Sequence, residues 1–183
     1  MRHKELKINI HYSLGARLKE ARSIKGWSLD TTSQHTGVSK AMLGQIERGE
    51  SSPTVVKLWS IANGFSLPLS YFIEGLEQRS APSVLINSEE DIQITTLCPF
   101  DEVTQLEVFQ IILFPQREHI SEPHNQGVIE HILAIDGTIE YYLNRNWHKV
   151  EKGRAVKFCA DQVHGYRNMS DKPVTIHNII SYT

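Results

Sequence analysis

The sequence predicts a two-domain protein in which an all-α domain is followed by an all-β domain. Three observations predict it. The chain has 183 residues, room for one full domain of roughly 100 to 150 residues and a smaller one beside it. Apolar spacing is helical from about Leu14 to Phe72 and becomes strand-like from about Ser83 onward. Charge changes at the same place: residues 1–80 carry 11 Lys and Arg against 7 Asp and Glu, net +4, whereas residues 81–183 carry 8 against 14, net -6. A basic front half and an acidic back half assign any polyanionic partner to the front half.

The front half divides into five short helices. Leu14, Leu18 and Ala21 mark the apolar stripe of the first, and Gly26 ends it. Ser28 is placed to cap a second helix that runs through Leu29 and Thr32 to Gly37. Ser39 caps a third, KAMLGQIER, which stops at Gly49. A fourth, TVVKLWSIANG, follows the SSP turn with Val56, Leu58, Trp59, Ile61 and Ala62 as its core, and LSYFIEG forms the fifth. Beyond the polar stretch GLEQRSAPS, the segments SVLI, DIQITTL, LEVFQIILF, VIEHILAI, TIEYYL, WHKV, AVKF and VTIHNIISY read as strands. Turn signals between them (Pro115, Asp136-Gly137, Asn144, Asn146, Gly153, Asp171 to Pro173) imply a sandwich or barrel. The predicted boundaries are 10–74 for the helical domain, 75–83 for a linker with hinge character and 84–183 for the β-domain.

Several classes are set aside at this level. No apolar run approaches the roughly 20 residues that span a membrane, and MRHKELKINIHYS lacks the apolar core of a secretion signal, so a cytoplasmic protein is expected. Cys98 and Cys159 are far apart and have no CxxC spacing, against a disulfide framework or a cysteine zinc site.

The second and third helices are joined by HTGVS, with Gly37 where a turn between packed helices needs positive φ or close approach. That spacing is a helix-turn-helix. The segment from LKEARSIKGWSLD through VSKAMLGQIERGESSP to IANGF resembles the Xre-type repressor family of phage and bacteria over residues 14 to about 73. The resemblance implies a five-helix, lambda-repressor-like domain whose third helix lies in the DNA major groove with its N-terminal side chains on base edges. On these residues it places Ser39, Lys40, Ala41, Gly44 and Gln45 on the reading face, with Gly44 marking either a close backbone approach or a place where no base is read, and Met42, Leu43 and Ile46 inward. Lys40 suits guanine, Gln45 pairs bidentately with adenine, and Ala41 suits a thymine methyl. Ser28, Ser39, Arg48 and Thr54 are the candidates for phosphate contact. Arg22 and Glu47 would form a structural ion pair between the first and third helices. A double-stranded DNA operator and a homodimer on half-sites about 34 Å apart follow.

In the back half, HNQGVIEHILAIDG (His124 to Gly137) and GRAVKFCADQVHGYRN, with Gly153, His164 and Asn168 in place, resemble the two motifs of the cupin superfamily. The resemblance covers about residues 90–183 and implies a double-stranded β-helix, or jelly-roll barrel, open at one end. In metal cupins the first motif supplies two histidines and a glutamate and the second one histidine; this chain offers His124, Gln126, Glu130 and His164. Three ligands survive for a divalent Zn, Fe, Ni or Mn ion, while Gln126 is a weak ligand and reads better as a hydrogen-bonding pocket wall. Tyr166 and His177 join the candidate effector pocket, and no catalytic residue is assigned. His131 should face away from Glu130, and His119 is a weak candidate. The function expected is a DNA-binding transcriptional regulator whose barrel binds a small-molecule effector. The rival is a metal-dependent cupin enzyme, a dioxygenase or isomerase, joined to a DNA-binding head.

Overall fold

In the computed structural model the residues described are 14–73, 86–87 and 92–182. The chain divides into two compact units, Met1–Ala81 and Pro82–Thr183. The predicted linker, residues 75–83, lies outside the described residues, as do residues 84 and 85 of the SVLI segment.

Helix α1 covers residues 14–24 of the first unit. It is followed by α2 (Leu29–Thr36), α3 (Lys40–Glu47), α4 (Val55–Phe65) and α5 (Leu69–Ile73). The starts of α2, α3 and α4 are each fixed by a side chain that supplies an otherwise missing acceptor: Ser28 accepts from Thr31 N, Ser39 from Met42 N and Thr54 from Lys57 N. Gly37 takes φ 66° and donates its N–H to Ser33 O, closing the turn between α2 and α3 as its position requires. Leu18, Val38, Leu43, Ile46, Leu58, Ile61, Phe65, Leu69 and Phe72 fill the centre, all at 1% exposure or less. Trp27 stacks between His35 (ring centroids 4.2 Å apart) and Phe65 (5.0 Å).

Two sequence expectations are corrected in α4. The helix does not stop at Gly64 but runs through it to Phe65, with Ser66 in the left-handed cap. Gly64 serves close packing instead, since a Cβ there would lie 2.7 Å from His35 O. Val56 is only half buried, and Val55 is the core residue.

The second unit forms two antiparallel sheets. The larger has the order β1-β2-β3-β10-β5-β8, built from β1 (Ile86–Asn87), β2 (Ile92–Asp101), β3 (Leu106–Leu113), β5 (Ile129–Asp136), β8 (Ala155–Cys159) and β10 (Val174–Ser181). The smaller has the order β4-β9-β6-β7, from β4 (Arg117–Ser121), β6 (Ile139–Leu143), β7 (Asn146–Val150) and β9 (His164–Asn168). Strict alternation in β3, β5 and β10 puts Phe109, Ile111, Leu113, Ile132, Ala134, Ile176 and Ile180 inside. Strands β4 and β9 are additions to the sequence reading. Their inward faces carry His119, Ser121, His164, Tyr166 and Asn168, all buried, in place of the aliphatic residues by which strands are recognised. Gly165 lets the two strands meet, because a Cβ there would lie 2.4 Å from His119 O.

Candidate functional site

The helix-turn-helix presents a polar face along α3. Ser39, Lys40, Ala41, Gln45 and Arg48 are exposed, as are the capping residues Ser28 and Thr54. Leu43 and Ile46 are buried and Met42 is half buried. Gly44 departs from the expected pattern: it is buried, because the Arg48 side chain folds back over it. A Cβ on Gly44 would meet Arg48 Nη1 at 3.1 Å and Leu29 Cδ1 at 3.8 Å. Gly44 is thus corrected from an exposed reading position to the seat of an arginine. Beneath this face the Arg22 fork donates to both Glu47 oxygens, at 2.6 and 3.0 Å, and to Trp27 O at 2.9 Å. The Glu47 bond outweighs the loss of hydration and raises the Arg22 pKa.

In the barrel, polar side chains from both sheets and one loop converge on Glu130, which is 1% exposed. His124, on the loop between β4 and β5, approaches Glu130 Oε1 through Nε2 at 2.8 Å. His164 Nε2, from β9, lies 3.3 Å from the same oxygen but is not aligned as a hydrogen bond. The other oxygen, Oε2, accepts from Tyr166 Oη and from Asn178 Nδ2 at 3.1 Å. Gln162 O lies 2.8 Å from His164 Nδ1; a carbonyl only accepts, so Nδ1 carries the proton and Nε2 is aimed inward. Phe158 packs against the His164 ring, with Tyr141 stacked on Phe158.

Burial alone would raise the Glu130 pKa, yet the His164 charge and the His124 bond hold it well below the usual carboxylate range. Burial would lower His164, and the Glu130 charge overrides this and raises it. Tyr166 is pushed well above the usual phenol value, first by burial and then by the carboxylate beside it. The result is an internal ion pair with a phenol and an amide as its outer supports.

These three residues also fit a metal by chemistry and by placement. His124, Glu130 and His164 offer ligand atoms that all lie within 4.8 Å of one another. His164 Nε2 has no aligned partner. Its Nδ1 is already tied to a backbone carbonyl, the usual support for a ligating imidazole.

The HTH-type transcriptional regulator SutR of Escherichia coli K12 is 42% identical over 174 residues, 95% of this chain and 97% of that protein. The helix-turn-helix family model matches residues 18–72, and the cupin domain model matches residues 108–180. The chain is a member of the Xre-type helix-turn-helix transcriptional regulators with a C-terminal cupin domain. A crystal structure of an HTH_3 family regulator from Vibrio cholerae matches this Xre–cupin regulator at 38% identity and TM-score 0.88, covering 97% of this chain and 99% of that one. The isolated cupin domain of an XRE family regulator from Enterobacter cloacae matches at 36% identity and TM-score 0.50, over 51% of this chain and 99% of its own. No helix among the described residues is long and apolar enough to cross a membrane.

Of the residues that the sequence assigned to the barrel of this Xre–cupin regulator, His124, Glu130, His164 and Tyr166 come together. Gln126 does not: it is exposed, because residues 122–128 form a loop in which the two-residue alternation of a strand is lost. His177 is on the wrong face. It shares its side of β10 with Thr175 and Ile179, while Asn178 points to Glu130. His131 does turn away from Glu130. The sequence reading missed Asn178 as a member of the cluster. It also undervalued His119, which is buried with its Nε2 3.3 Å from Ser121 Oγ. The register pairs His119 with Tyr166 and Ser121 with His164, so all four share the inner face.

Proposed function

We propose that this regulator binds a double-stranded DNA operator sequence-specifically as a homodimer and that occupancy of the cluster around Glu130 by a small effector alters its DNA affinity. The observation that carries the reading is the attachment of a buried five-residue polar cluster to a helix-turn-helix unit within one chain of a regulator family. On the DNA side, Ser39, Lys40, Ala41 and Gln45 are the base-facing set, and Ser28, Arg48 and Thr54 the phosphate-facing set. One such unit spans few base pairs, which favours two copies on half-sites about 34 Å apart.

Within the barrel, His124, Glu130 and His164 would hold a divalent ion such as Fe, Ni, Mn or Zn. A bound ion would supply a Lewis-acidic point for an oxygen or nitrogen donor of the effector. The protein's own residues do the rest. Tyr166 and Asn178 fix Glu130 Oε2, leaving Oε1 turned to the two imidazoles. His119 and Ser121 line the adjacent part of the inner face. Coupling to DNA needs only that the effector bind two dimer arrangements unequally.

A second reading, a metal-dependent enzyme carried by the same chain, is favoured by one observation: the two-histidine, one-carboxylate set is the donor type of oxygen-activating iron sites. One experiment addresses both. A duplex selected from a randomised pool is titrated with protein before and after chelation and metal reloading, alongside His124→Ala and His164→Ala, with metal measured by mass spectrometry. Effector-type control predicts metal lost in both variants and a several-fold change in duplex affinity on chelation. DNA affinity indifferent to chelation, to metal and to both substitutions removes the cluster from control of DNA binding.

A further inference from the structure

The cations of the DNA-reading segment are not free to meet phosphate. Lys40, first residue of α3, donates from Nζ to Asp30 Oδ2 at 2.7 Å, reaching back to the first turn of α2. Arg48, just past the end of α3, donates from Nε and Nη2 to the two oxygens of Glu50 at 2.8 and 2.7 Å. This is a bidentate fork with both partners more than half exposed, 59% and 53%. The absence of a side chain at Gly44 is what lets the guanidinium lie down on the helix. Glu50 is correspondingly acidified by its hydrogen bond from Arg48. Arg22, the third cation beside α3, is committed to Glu47. Three basic residues therefore face three carboxylates, and the reading face carries little net charge although residues 1–80 as a whole carry net +4.

Resting on the DNA-binding reading above, we propose that Asp30 and Glu50 are built-in competitors of DNA phosphate, which keep Lys40 and Arg48 neutralised against non-specific duplex. Exposed ion pairs of this kind are individually weak, so they open readily where a duplex offers both cations a better partner. On arbitrary sequence the gain from opening is small, since each cation only exchanges one anion for another and no base contact is added. Affinity for non-cognate DNA, which comes almost entirely from phosphate neutralisation and counterion release, is thereby held down. Specificity is then raised by weakening the wrong complexes as well as by reading the right one.

The test uses the full chain and a mixed-sequence duplex several helical turns long, titrated across 50 to 200 mM salt with Asp30→Asn, Glu50→Gln, Arg48→Gln and the double variant Arg48→Gln/Glu50→Gln. Each single carboxylate variant should bind more tightly than wild type at low salt. Each freed cation adds about 0.9 to the slope of log affinity against log salt, so the advantage should shrink about 3.5-fold over that range. Glu50→Gln should have no effect in the Arg48→Gln background, because it acts through that guanidinium. An equal gain in both backgrounds would reduce Glu50 to general repulsion and overturn the proposal. Weaker binding by Glu50→Gln would overturn it in the opposite sense, making Glu50 a support that presents Arg48 to phosphate. Wild type and all variants without duplex affinity at low salt would sink the DNA-binding reading itself.

Discussion

Replacing Glu130 with Gln keeps the shape of the side chain and removes its charge. In the folded protein its two oxygens face four groups, the Nε2 atoms of His124 and His164 on Oε1 and the Tyr166 hydroxyl and Asn178 amide on Oε2. A carboxamide retains one acceptor oxygen: with its –NH2 in the place of Oε2 it faces the Asn178 amide, itself a donor, and with its –NH2 in the place of Oε1 it takes from the two imidazoles the anionic acceptor they share. Each buried donor left without an acceptor costs about 1–3 kcal/mol. The protonated form of His164 also loses its counter-ion in a site where both side chains are only 1% exposed. Breaking a buried pair in this way typically costs about 3–5 kcal/mol. For a domain of roughly 100 residues, each kcal/mol lowers Tm by about 4–8 °C, so the β-unit should melt at least about 12 °C lower. The assay is thermal unfolding of chelator-treated protein followed by circular dichroism, with Tyr166→Phe as a milder control that removes one donor and leaves the charge. A loss below about 1 kcal/mol for Glu130→Gln, or one no greater than that of Tyr166→Phe, would refute the assignment of Glu130 as the charge that organises the interior.

Two glycines give opposite expectations. A Cβ at Gly15 would lie 2.4 Å from Ile46 O, a backbone atom that cannot step aside, so Gly15→Ala should destabilise the helical unit by about 1–3 kcal/mol in thermal unfolding. At Gly44 the nearest atom is the end of a flexible arginine at 3.1 Å, so Gly44→Ala should be neutral or stabilise by up to about 1 kcal/mol through helix propensity. The barrel should also show a defined pH response. His164 is raised, so its contribution is complete below its ordinary value of 6.5 and is lost as pH rises through the higher folded value. Glu130 is lowered, so its contribution is complete above 4.5 and is lost as pH falls through the depressed folded value. Metal-free protein should therefore be most stable between these limits and lose stability on the alkaline side, a loss that His164→Gln should flatten in Tm measurements.

The helical unit was legible in the sequence because its signals are local. Ser28, Ser39 and Thr54 each cap the helix that begins immediately after them, and Gly37 takes a left-handed φ at its turn. Gly64 misled for a tertiary reason: its lack of a side chain is used by another helix, so it does not punctuate its own. Gly44 misled for a similar one, since no periodicity reveals that a neighbouring arginine will fold over it.

In the β-unit the aliphatic strands were visible, and the two whose inner faces form the cluster were not. Strand REHIS has Ile120 facing out and a histidine and a serine facing in, so hydropathy inverts the true pattern. The choice between His177 and Asn178 was decidable. The residues two positions either side of Asn178 are Ile176 and Ile180, and those about His177 are Thr175 and Ile179, which marks the first series as the inner one. Gln126 was placed by motif spacing alone, and spacing carries no information about facing once the backbone leaves the strand.

Trp27 sits where α1 hands over to α2, with its ring between one residue from α2 and one from α4. Indole emission moves to longer wavelength when water replaces such neighbours. The helical unit thus carries an optical gauge of its own, distinct in kind from Trp147, whose ring lies 4.2 Å beneath the Arg167 guanidinium in the β-unit. With Trp59 and Trp147 changed to Phe, the colour of the remaining light would report, in solution and without any label, whether an event in one unit is felt in the other.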